Sequence, residues 1–281
     1  PLKITLFVIV LALVLFFFDF PFLRFMELKT LDLRIASRGA LPTGGETVIA
    51  VIDEKSLTEL GRWPWPRTTV ARLIDKLKAS GAKAVGFDIV FSEPDDNSSI
   101  KTISELSAEI KKSGIRDANV LSLLSKKKAE ADNDVALAKA ISRAKNVTLG
   151  YFFHLSSRDV MHLSEKEIQE NADSIKNSRY QIINSAEKSP DDFALAKAYA
   201  PEANLKILSD AAVNSGYFNM IPDSDGSMRW SPLVIKFRNN YYSSLPLSIL
   251  QQYLDWPPFS LSLAGYGAES VKIGDIHIPT D

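Results

Sequence analysis

The sequence predicts an α/β protein: a βαβαβ parallel-sheet core extended by an antiparallel meander and preceded by an N-terminal transmembrane helix. Three observations carry this. Thr47–Pro94 reads strand, turn, helix, strand. A further helical run and a third apolar segment, Asn146–Phe153, follow it. Ile4–Phe18 is apolar apart from Thr5 and shows no polar face.

Taken in order, Ile4–Phe18 is short for a bilayer core about 30 Å thick at about 1.5 Å per residue, unless flanking residues help. FFFDFPFLRF offers no small-x-small cleavage site, so an uncleaved anchor over 1–21 is preferred to a signal peptide. The chain opens on Pro1 rather than Met, and residues are expected before it. Lys3 favours the cytoplasmic side for the start and the far side for all that follows, with Arg24 and Lys29 weighing against it. Phe22–Ser37 mixes Phe22, Met26, Leu28, Leu31 and Ile35 with charges, as a helix leaving the membrane and docking on the domain would. The glycines and proline of 39–45 end it, and 22–46 is read as juxtamembrane helix and linker. A spacer helix is the plainer reading.

Thr47–Ile52 is short, apolar and β-branched, the pattern of a strand buried on both faces. Val70, Leu73, Ile74 and Leu77 recur at helical spacing, with Thr68 or Thr69 as cap and Gly81 as the left-handed stop. Lys83–Phe91 is a second strand. Such a unit is almost always a right-handed crossover with parallel strands, which would bring Asp53 and Asp88 together at the strands' carboxyl ends. Ile100–Ala144 reads as helices, with Lys126–Lys128 a solvated basic run and Asp132 or Asn133 starting the last. Ser156–Ala212 is polar and mostly helical, broken at Pro190 and Pro201. Gly216–Ile221 and Met228–Phe237 flank Pro222-Asp223-Ser224-Asp225-Gly226, and Asn239-Asn240 is a second turn signal, giving the meander. Leu245–Leu254 is a helix, and Val271–Ile278 a hairpin around Gly274.

Composition sets outer limits. At 281 residues and 46% hydrophobic, the chain can bury a sizeable core. A formal net charge of −1 argues against nucleic-acid partners. The absence of cysteine excludes disulfide and thiolate chemistry, and three scattered histidines suggest no zinc site.

The candidate ligand-binding residues are Asp53, Trp63, Trp65, Arg67, Asp88 and Glu93, with Asp95 beside them. Paired acids at a sheet's carboxyl edge can hold a hard cation, accept hydrogen bonds from a polar ligand or share a proton; otherwise each caps its own turn. Indole faces beside a guanidinium suit a planar or anionic ligand, or a partner protein; otherwise they plug the sheet's end. Asp223 and Asp225 are weak metal candidates, because the run lacks the third acidic position and the bidentate Glu of a calcium loop. No catalytic motif is present and no cofactor is expected. A periplasmic enzyme using the paired acids is the least favoured reading.

The strings VIDEKSLTELGRWPWPR, GAKAVGFDIVFSEPD, DNDVALAKAIS and GYFNMIPDSDGSMR resemble the CHASE2 family of bacterial extracytoplasmic sensor domains. The resemblance implies a sensor domain over 47–281, cut short at Asp281, with helical insertions near 97–131 and 156–205 outside the family's usual length. It implies location at the bacterial inner membrane with the bulk of the chain periplasmic. The output module would be a cytoplasmic adenylate or guanylate cyclase, a histidine kinase, a serine/threonine kinase or a cyclic-di-GMP enzyme. Expected partners are the membrane, a second copy in a homodimer or larger assembly, and a small molecule or periplasmic protein. A structural role in a membrane-associated periplasmic assembly is the alternative.

Overall fold

The structure, a computed structural model, describes residues 2–18, 20–95, 98–114, 117–185 and 195–280. The chain divides into two compact units, Pro1–Ser56 with Pro222–Ser227, and Leu57–Ile221 with Met228–Asp281.

The first unit holds α1 (Leu2–Phe17) and α2 (Pro21–Arg38). Pro21 opens α2, where its missing N–H costs nothing, and Gly39 at φ 73° closes it. The two helix axes meet at 85°. Among the described residues no single helix is long and apolar enough to cross a membrane, but the bent pair together meets that length and composition.

The strand expected over Thr47–Ile52 does not form. Val48, Ile49 and Val51 are 86%, 83% and 68% exposed, and no ladder includes them. β-Branching favours an extended backbone only where a neighbouring strand takes its hydrogen bonds, and here none does. The first predicted βαβ crossover is therefore absent, and α3 (Glu54–Leu60) follows directly.

The second unit carries the core. α4 (Arg67–Ala79) begins at Pro66, not at a threonine cap; Thr68 and Thr69 fall in its first turn. Gly81, at φ +88°, sits two residues beyond its end, as expected. Then come β1 (Val85–Phe87), α5 (Ser98–Lys112), α6 (Ala118–Ala131), α7 (Asn133–Ala144) and β2 (Val147–His154). Asp132 caps α7 by accepting from the amides of Asp134 and Val135. β1 lies parallel to β2.

The stretch 156–212 is less helical than predicted. α8 (Glu165–Ser174) and α9 (Lys206–Ala211) are separated by three short strands, β3 (Ile182–Ser185), β4 (Ala196–Ala198) and β5 (Ala200–Glu202). Pro201 lies inside β5 rather than breaking a helix, and the break expected at Pro190 falls outside the described residues. These strands are only three or four residues long, too short to show a period-2 pattern.

β6 (Asn214–Tyr217) corrects the meander. It runs parallel to β2, while β5 pairs antiparallel with the last residues of β2. The turn predicted at Asn239-Asn240 does form, joining β7 (Val234–Phe237) to β8 (Asn240–Ser243) in a hairpin through Arg238 at φ 52°, and β4 extends it. α10 (Leu245–Tyr253) leads to β9 (Phe259–Ala264), β10 (Gly267–Ile273) and β11 (Ile276–Pro279), with Gly274 at the predicted turn and β3 alongside β9.

Layering follows from the pleat. Val85 and Phe87 face Ile74, Leu137 and Ile141 of α4 and α7. Gly86, pointing the other way, meets Ile249 of α10. The parallel sheet is thus covered on both faces, and glycine lets α10 approach. A Cβ on Gly216 would stand 2.5 Å from Leu245 Cα and 2.9 Å from Ser244 O, both backbone atoms that cannot rotate away. Gly216→Ala is expected to cost about 1–3 kcal/mol of overpacking, read as a lower urea midpoint with an unchanged slope.

Candidate functional site

The crevice beyond the ends of parallel strands is the usual ligand position in such sheets. Here the protein fills it. The β1–β2 ladder ends at Phe87 and Leu149, and beyond it Asn204 bridges the two segments: its Nδ2 donates to Gly150 O at 2.7 Å and its Oδ1 accepts from Phe91 N at 2.8 Å. Leu205 N donates to Phe91 O at 2.8 Å. On the far side of β2, Asn219 does the same for one residue, accepting from Phe153 N at 2.7 Å and donating to Phe153 O at 2.8 Å. An amide side chain presents one donor and one acceptor at about the spacing of a peptide group, so it can replace a missing strand neighbour.

Beside this crevice lies a buried charged network. Arg67 and Asp134 are only 8% and 9% exposed. Arg67 Nε donates to Asp134 Oδ1 at 3.2 Å, its NH2 donates to Glu93 O at 2.9 Å, and its guanidinium lies 4.5 Å from the centre of the Phe91 ring. Asp95 closes the circuit. Its amide donates to Asp134 Oδ2 at 3.0 Å, and its carboxylate accepts from Asn133 Nδ2 at 2.7 Å and Arg67 N at 3.3 Å. The start of α4, the segment after β1 and the start of α7 are tied at one point.

The other sequence candidates fall out as follows. Trp65 is buried, with Nε1 donating to Gly61 O at 2.9 Å, and the half-exposed Trp63 packs edge-on against it. Glu93 contributes its carbonyl to Arg67, and its side chain is exposed. Asp88 is exposed one residue past β1. Asp53 belongs to the first unit and caps α3: Ser56 Oγ and Ser56 N donate to its Oδ1 at 2.7 and 2.9 Å. Asp223 and Asp225 shape a turn in the first unit. Asp223 exchanges backbone hydrogen bonds with Ser227 and Gly226, and Asp225 accepts from Ser227 N and meets Lys29 Nζ at 3.3 Å. Among the described residues no three His, Asp or Glu side chains converge as a cation site.

The Ser56 hydroxyl, and after it the Ser56 amide, hold the Asp53 carboxyl below its ordinary value. A carboxylate with a depressed folded-state pKa stabilises above its unfolded value, and that contribution is lost as pH falls through the folded one. Ser56→Ala is expected to move the Asp53 titration upward in a carboxyl-carbon NMR series.

An open groove of about 410 Å³, within the usual range for small-molecule sites, runs along α7. Asp132, Val135, Ala136, Lys139 and Arg143 form its floor at helical spacing, Thr68 and Ala71 of α4 one wall, and Ala129 and Glu130 of α6 the other. Its first end adjoins the Arg67–Asp134 pair, and at the other Arg143 holds Asp75 at 3.0 Å. Glu130 is paired with Lys127. Lys139, exposed in the middle, has no ion-pair partner among the described residues. Sequence reading missed Asn204, Asp134 and this groove. Asp134 sat unmarked beside the recognised helix start Asp132-Asn133, and Asn204 had no signal at all.

A parallel sheet walled by helices, with Asn204 bridging the strand ends and a mixed-charge groove on a helical face, defines a mixed α/β domain. The chain belongs to the CHASE2 domain family, whose model matches residues 6–281. CHASE2 domains are extracytoplasmic sensor domains of signalling proteins. No curated protein and no solved structure matches the chain.

Proposed function

We propose that this chain is the input region of a membrane-bound bacterial receptor that passes binding of a small ligand to a cytoplasmic output module, an adenylate or guanylate cyclase or a histidine kinase. Family membership over nearly the whole chain carries this reading. The anchor is the apolar N-terminal segment that begins with α1, and the bulk of the chain is periplasmic. The ligand site is the groove along α7. The apolar side chains of Ala71, Ala129, Val135 and Ala136 and the Lys139 ammonium, without an ion-pair partner among the described residues, suit a small carboxylate with a short apolar body. Binding there bears on α6, α7 and the Arg67 network, so a ligand that prefers one arrangement of these helices shifts the population toward it.

Thermal melting of the chain against small carboxylates, other metabolites and divalent metals tests the reading. A saturable rise is expected for a carboxylate, equivalent to about 2.7 kcal/mol at a hundredfold excess over Kd, and lost in Lys139→Ala. Melting unchanged across the panel, with a protein co-purifying stably, would support the structural-assembly role instead.

A further inference from the structure

We infer that α2 lies flat in the bilayer surface as an interfacial helix. The inference rests on the proposed anchoring of α1. None of the α2 residues is buried, and Phe22 (69%), Phe25 (45%), Met26 (44%) and Leu33 (70%) are exposed. At 3.6 residues per turn these four fall within one arc of about 100°. Arg24, Glu27, Arg34 and Arg38 fall on the opposite side, with Asp32 at the edge of the arc beside Lys29 and the exposed Leu23 and Ile35 outside it. Lys29 is the one charge inside the apolar arc, and it is drawn off: its ammonium reaches Asp225 at 3.3 Å and lies 5.3 Å from the centre of the Phe25 ring. A helix with aromatic and aliphatic residues on one face and arginine on the other sits in the plane of the headgroups.

The bend fixes the occupant of that face. α1 is apolar on all sides, and α2 leaves it at 85°, so with α1 inserted α2 runs across the membrane surface and not away from it. Phe16, Phe17, Phe18 and Phe20 cluster at the corner, exposed, where aromatic rings favour the interface.

The native chain has no cysteine, so single cysteines can be labelled cleanly. Phe7→Cys, Leu33→Cys and Glu27→Cys, each carrying an environment-sensitive fluorophore, would be compared in the whole chain reconstituted into phosphatidylcholine and phosphatidylglycerol vesicles. The label at 33 is expected to shift to the blue, brighten several-fold and be quenched by nitroxide on the lipid chains; the label at 27 is expected to be quenched by aqueous iodide. Equal iodide quenching at 33 and 27 with position 7 in lipid would overturn the interfacial helix and leave the anchor standing. A short spin-spin distance between copies at position 33 would overturn it in favour of a second chain as the occupant. Position 7 in water would remove the anchor and this inference together.

Discussion

Arg67→Ala is expected to destabilise the second unit by about 3–5 kcal/mol, since it strands Asp134 as an uncompensated buried charge. The side chains of the pair are 10% and 12% exposed, so water cannot replace what is lost. The Glu93 carbonyl and the Phe91 ring lose their partner in the same step. The urea midpoint should fall accordingly. Arg67→Lys should recover only part of the loss, because an ammonium is a point charge and lacks the guanidinium's fork of donors toward Asp134 and Glu93. Adding Asp134→Asn to Arg67→Ala should also recover part, by removing the stranded charge while keeping an acceptor for Asp95 N. A fall of under 1 kcal/mol in Arg67→Ala would show that the network contributes little.

Asn204→Ala is the second large effect. It leaves the Phe91 amide and the Gly150 carbonyl without the partner that bridges them, at about 1–3 kcal/mol for each buried group left unmatched. Asn204 is 5% exposed, which limits rescue by solvent. Asn204→Asp should fall between, since its Oδ1 still accepts from Phe91 while the contact with Gly150 O turns repulsive. Amide hydrogen exchange at Phe91 is the direct measurement, and acceleration there beyond the global loss of stability is expected.

Both residues bear on how sensing would work. Asn204 ties the segment after β1 to β2, and Arg67 ties that segment to the start of α7, where the groove along α7 begins. A ligand seated on Lys139 in the proposed site would touch α6 and α4 as well as α7.

Local structure was largely legible in the residues. The periodicity of Val70, Ile74 and Leu77 located α4, Asp132 marked the start of α7, Gly274 the β10–β11 turn, and four sequence strings the family. Each of these depends on neighbours within a few positions, where propensity and capping act. The three-dimensional arrangement decided the rest. Whether Thr47–Ile52 becomes a strand depends on a partner edge, which its own β-branched residues cannot supply. Whether Asn214–Tyr217 runs parallel to β2 or back along a hairpin depends on α10 closing over Gly216. Arg67 finds Asp134 sixty-seven positions away, and Asn204 finds Phe91 at a separation of 113, because packing brings those segments together. Pairings of that kind are set by the free energy of the whole fold, and a single sequence carries no local sign of them.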